Sequence, residues 1–114
     1  MAEKRSFCVP GLQSPQARPR VTGKRTYNPR NTWRESIQWL AAQEFRGFPL
    51  DGRRLVCIRL VGARKNGDLD NYGKAVLDAL QGHAYRNDNQ VDDLRIIREP
   101  SKEPYTSITV EVLG

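Results

Sequence analysis

The stretch Leu55-Val56-Cys57-Ile58-Arg59-Leu60-Val61, followed by Ala63-Arg64-Lys65-Asn66-Gly67 and then by Asp70 to Leu80, decides the fold. The first segment is rich in β-branched residues and is bounded by Gly52 and Gly62, so it reads as a strand. A short basic loop separates it from a helix over about Asp70 to Leu80. There Tyr72, Val76 and Leu80 recur on one face, and Gly82 provides the stop. A strand entering a helix through a short loop sets the rest of the pattern. Downstream, Leu94 to Arg98 and Thr106 to Leu113 read as strands, the latter alternating Ile108, Val110 and Val112 with Thr109 and Glu111. Upstream, Ser6 to Val9 is a short strand ended by Pro10-Gly11, and Gln13 to Arg20 is an extended loop. Thr32 and Glu35 form a capping-box signature that opens another helix. Its inner face is Trp33, Ile37, Leu40 and Ala41, and it ends at Gly47. The order β, α, β, α, β, β predicts an α/β (α+β) single domain over residues 1–114, a mixed sheet packed with two helices.

Composition narrows the function classes. A chain of 114 residues fits one domain. No apolar run approaches the ~20 residues that span a bilayer, and Met1 to Ser6 is not followed by an apolar stretch like that of a leader. A soluble, cytoplasmic protein without a membrane partner is the expectation. Cys8, Cys57 and His83 cannot build a four-ligand zinc site, and both cysteines are expected to be buried thiols. His83 reads as a loop residue rather than a general base.

The net charge is +6, and residues 1–36 account for it, with eight basic and two acidic side chains; the remainder is balanced. Such a segment either grips phosphates or is a solvated basic tail. Trp39 points away from the apolar face of its helix, either as a second core contact or as a contact in a homodimer.

Acidic residues gather in Gly67-Asp68-Leu69-Asp70-Asn71-Tyr72-Gly73-Lys74, at Asp78, and in Asn87-Asp88-Asn89-Gln90-Val91-Asp92-Asp93. Carboxylates at i and i+2 lie ~200° apart inside a helix but project to the same side of an extended segment. Asp68-Leu69-Asp70 therefore belongs where a loop enters the helix, with Asp70 near the N-cap and Leu69 buried between the two acids. Clustered carboxylates repel unless a cation neutralises them, and Mg²⁺, with its preference for oxygen ligands, suits that role. Asp88 could return to the same point if the loop after the helix folds back. The plainer reading of the Asp68 and Asp70 pair is an N-cap with an acidic first turn. Lys74 lies one turn from both Asp70 and Asp78, placed to bridge them or to meet a phosphate.

The run Asp68-Leu69-Asp70-Asn71, Lys74-Ala75, Leu77-Asp78-Ala79-Leu80, Tyr85, Asp88 and Gln90-Val91 resembles the RusA family of Holliday junction resolvases. The likeness is strongest over about residues 67–98. A weaker part lies in Phe7 to Gly11, Arg18-Pro19-Arg20 and Thr26-Tyr27, which resemble the family's opening strand and basic hairpin. The resemblance implies that Asp68, Asp70 and Asp88 are catalytic and hold Mg²⁺, with Mn²⁺ as a substitute, and that Lys74 is the catalytic lysine. It also implies a homodimer, of phage or prophage type, that nicks opposing strands of four-way DNA junctions in recombination and repair. Arg18, Arg20, Lys24, Arg25, Arg64, Lys65 and Lys74 are the expected DNA contacts. Two positions depart from the pattern: Asn87 stands where the family has the first acid of an Asp-Asp pair, and Gly67 where it has a basic residue, a role that falls to Arg64 or Lys65. A non-catalytic DNA-binding module, and a protein that offers its basic end to an acidic partner, are the alternatives.

Overall fold

A computed structural model of the chain describes residues 3–14, 21–22, 25–26, 32–63 and 68–114. Its elements run β1 (Lys4–Pro10), β2 (Val21–Thr22), β3 (Arg25–Thr26), α1 (Trp33–Glu44), β4 (Arg54–Val61), α2 (Leu69–Leu80), a 3-10 turn (Asp88–Gln90), β5 (Val91–Glu99) and β6 (Tyr105–Val112). Four strands form one sheet in the order β1-β6-β4-β5. β6 is antiparallel to both β1 and β4, while β5 lies parallel to β4, so the sheet is mixed. The parallel pair needs a crossover, and α2 supplies it. β2 and β3 form a separate small ribbon in which Thr22 pairs with Arg25.

Alternation fixes which face of the sheet is covered. Val56, Ile58 and Leu60 of β4 are buried together with Ile108 and Val110 of β6, whereas Cys57, Arg59, Ser107 and Thr109 are only partly buried. The helices supply the opposing layer with Ile37 and Ala41 from α1 and Val76, Ala79 and Leu80 from α2. Trp33 ties the layers together: its Nε1 donates to Thr106 Oγ1 at 3.1 Å, and its ring meets Tyr72 edge-on at 5.9 Å. The capping box predicted at Thr32 and Glu35 is formed.

The cysteine expectation is corrected. Cys8 is exposed and Cys57 half-buried, because each is out of phase with the buried set: Val9 follows Cys8, and Val56 and Ile58 flank Cys57. At the end of β4 the chain turns through Gly62 at φ +75°, where a Cβ would lie 2.9 Å from Pro104 Cα. Only glycine fits that turn, and it releases the chain toward Asp68. Among the described residues, no helix is long and apolar enough to cross a membrane.

Candidate active site

Asp68 occupies the N-cap position of α2 in an extended conformation (φ −77°, ψ 134°), two residues before Asp70, which the sequence places near the N-cap. Its carbonyl accepts from the N–H of Asn71 at 3.1 Å, but its carboxylate makes no capping hydrogen bond. This separates Asp68 from an ordinary N-cap aspartate, whose side chain is spent on an N–H of the first turn. Asp68 and Asp70 are both exposed, and Leu69 between them is half-buried rather than fully buried. Lys74 is exposed too. Among the described residues it forms no ion pair with Asp70 or Asp78, so the bridge open to it in the sequence is not made.

Asp88 opens the 3-10 turn and is half-buried. Its N–H donates to Gln81 Oε1 at 3.2 Å, which ties it to the C-cap of α2. At ~1.5 Å rise per residue, α2 is about 18 Å long, so Asp88 stands at the far end of the helix from Asp68 and Asp70. The expected fold-back of the loop does not occur within one chain. In keeping with this, the described residues contain no group of three His, Cys, Asp or Glu side chains close enough to hold a metal ion.

The frame around Asp88 is built from residues that the charge census passed over. Gln90 donates through Nε2 to the carbonyls of Leu50 and Gly52, both at 2.8 Å, while its Oε1 accepts from the N–H groups of Arg86 and Asn87. Asn87 Oδ1 accepts from Asn89 N at 3.0 Å, completing a capping box with Gln90. The Asn-x-x-Gln spacing carried that signal in the sequence. It also accounts physically for Asn87, since asparagine and aspartate cap about equally well. Tyr85 is fully buried and donates from its hydroxyl to Leu77 O at 2.7 Å. Burial, with the negative charges of Asp88 and Asp78 added, pushes its phenol well above the ordinary tyrosine range and keeps it a donor.

Of the expected DNA contacts, Arg18, Arg20, Lys24, Arg64 and Lys65 lie outside the described residues. Arg25 is placed by its backbone in β3, and Lys74 is the contact whose exposed side chain adjoins the acidic residues on α2. Another basic residue of the N-terminal third is structural: Arg5 Nη1 donates to the carbonyls of Glu44 and Arg46 at the end of α1.

No curated protein matches the chain. The family model described as endodeoxyribonuclease RusA matches residues 10–111, which takes in both helices, the whole acidic region, β4, β5 and all of β6 but Val112, and of β1 only its last residue, Pro10. With nearly the full chain matched and the mixed sheet and two helices in place, the chain belongs to the RusA endodeoxyribonuclease family.

Proposed function

We propose that this endodeoxyribonuclease resolves four-way DNA junctions by paired nicks in recombination and repair, with Asp68, Asp70 and Asp88 as its acidic residues and Lys74 beside them. One observation carries the reading: Asp68 sits where an aspartate would cap a helix, yet its carboxylate makes no capping bond and the residue is exposed, as is Asp70 two positions on. Two exposed carboxylates at a loop-to-helix junction fit Mg²⁺ or Mn²⁺, which take one or two carboxylates and leave their other positions to water and phosphate oxygens. A divalent cation held there supplies Lewis acidity to the phosphate and lowers the pKa of the attacking water.

The chain's own groups do the rest. Hydrolysis requires an in-line water, removal of its proton and neutralisation of charge growing on the phosphate. An aspartate carboxylate orients the water and accepts its proton, and the Lys74 ammonium pairs with a non-bridging phosphate oxygen. Arg18, Arg20, Lys24, Arg25, Arg64 and Lys65 grip the flanking backbone. Two nicks in opposing strands call for two centres and hence a homodimer, working on branched DNA in the cytoplasm of a bacterial or phage-infected cell.

The test sets a synthetic four-way junction beside a matched linear duplex, with and without Mg²⁺. Metal-dependent paired nicks in the junction alone are expected. The Asp70→Asn variant is expected to bind the junction while losing cleavage. Wild-type binding with no cleavage under any divalent cation would return the chain to a non-catalytic DNA-binding module.

A further inference from the structure

We propose that Gln81 and Gln90 are positioning residues for the reaction: they aim the Asp88 carboxylate and keep it free for its ligand. The role of Asp88 rests on the nuclease reading above; its placement rests on hydrogen bonds in the fold. Among the described residues no hydrogen bond or ion pair holds that carboxylate, so its direction is set by the backbone of the 3-10 turn. Four successive backbone N–H groups of this segment donate to side-chain amide oxygens. Those of Arg86 and Asn87 share Gln90 Oε1, both at 2.9 Å, that of Asp88 meets Gln81 Oε1 at 3.2 Å, and that of Asn89 meets Asn87 Oδ1 at 3.0 Å. Aspartate itself competes for such donors, since in a turn its carboxylate folds back on N–H groups nearby. With all four engaged, the Asp88 carboxylate has no local donor to turn to. The acceptors are neutral, so they satisfy these N–H groups without setting another negative charge beside Asp88.

The two glutamines also anchor the turn on either side. Gln90 Nε2 donates to the carbonyls of Leu50 and Gly52, both at 2.8 Å, in the turn that leads into β4. One planar amide thus spends two donors on one chain segment and two acceptor sites on another. Glutamate in its place keeps the acceptors, loses the donors and sets its charge against two carbonyl oxygens. Gln81 is the C-cap residue of α2, so Asp88 is held between that helix and the head of β4. Neither glutamine belongs to the apolar core, and Gln81 is exposed. Their loss therefore loosens this turn rather than the whole fold.

Removing the amides one at a time tests the assignment. Gln81→Met deletes the bond to Asp88, and Gln90→Met deletes the bonds to both neighbouring segments. Half-saturating Mg²⁺ for junction nicking is expected to rise about 10–100-fold in each, the usual effect of losing a group that orients a metal ligand, while the rate at saturating Mg²⁺ falls much less. Gln81→Glu, which keeps the acceptor, is expected to recover most of the Mg²⁺ response lost in Gln81→Met. A role in stability alone would lower the melting temperature and leave the Mg²⁺ response of the folded protein where it was. Two readouts are independent of cleavage. Amide hydrogen exchange is expected to quicken at Asp88 in Gln81→Met, and at Arg86 and Asn87 in Gln90→Met, with α2 and β4 still protected. Mn²⁺ titrated into DNA-free protein and followed by electron paramagnetic resonance is expected to bind more weakly in both variants. Unchanged exchange at residues 86–88 overturns the frame. Faster exchange with unchanged Mg²⁺ and Mn²⁺ responses overturns the positioning role, and Gln81→Met decides alone if Gln90→Met does not fold. A wild type that binds Mn²⁺ but never nicks a junction removes the nuclease reading, while exchange and Mn²⁺ binding still judge the glutamines.

Discussion

Arg54 is a charged side chain with no solvent exposure, and it accounts for much of the order around Asp88. Its guanidinium donates to the carbonyls of Ala84, Pro49, Asp51 and Gly52 and lies over the Phe48 ring at 5.4 Å. It thereby clamps the turn before β4 against the turn after α2. Arg54→Met keeps the stem but leaves those carbonyls without a donor; the expected loss is ~2–4 kcal/mol in urea denaturation. In the sequence, Arg54 is one more positive charge at the head of an apolar run, and nothing local marks it as interior. Burial of a charge is decided by carbonyls contributed from chain segments on either side. The neighbouring pair Arg86 and Asp51, with Nε to Oδ1 at 3.0 Å, gives a pH signature. The hydrogen bond and charge of Arg86 hold the Asp51 carboxyl below its ordinary value of 3.8. Folding therefore favours the carboxylate, and the pair's contribution is full above pH 3.8 and lost as pH falls through the depressed value. Asp51→Asn is expected to lower the neutral part of the stability curve slightly, as befits an exposed pair, and to leave its most acid end unchanged, so that the acid limb is shallower by the same amount.

At the scale of elements, α2 shows how closely helix and sheet are fitted. Gly73 lies inside the helix, where a Cβ would be 2.4 Å from Ile96 Cδ1 of β5. The end of an isoleucine can turn aside, so Gly73→Ala should be nearly neutral, its helix propensity offsetting the contact. Gly73→Val has no such escape and is expected to cost about 1–3 kcal/mol by overpacking. Thermal denaturation of the two variants, each with and without Ile96→Val, checks the assignment: removing Cδ1 should lessen the valine penalty. The elements themselves were largely legible, because periods of 3.6 and 2 reflect burial on one face. The ends were less so. β5 begins at Val91 rather than Leu94, since Asp92 and Asp93 are poor strand formers, yet Val91 and Asp93 pair with Arg54 and Leu55 of β4 across a register shift that passes over Asp92. The two-residue strands β2 and β3 carry too few residues to show any period.

For the whole molecule, charge is the property that reads most directly from composition. Alanine at Arg18, Arg20 and Arg25 is expected to weaken junction binding. The slope of log K against log salt should flatten by about one unit for each phosphate contact removed. The candidate acids were legible as residues but not as a constellation. Spacing along the chain cannot reveal that α2 holds Asp88 at the far end of the helix from Asp70, because direction comes from the parallel pairing of β5 with β4. That same topology joins β1 to β6, with Lys4 opposite Glu111 and Ser6 Oγ within 2.8 Å of Thr109 Oγ1, 103 positions apart. During synthesis, the first strand has no partner until the last one emerges from the ribosome. At roughly 5–20 residues per second, that interval is about 5–20 s. Val9 and Phe7 must wait unpaired through it, so the nascent chain is most open to chaperones and to aggregation along its β1 segment, and slow clearance of the final strand would lower yield without changing the finished enzyme.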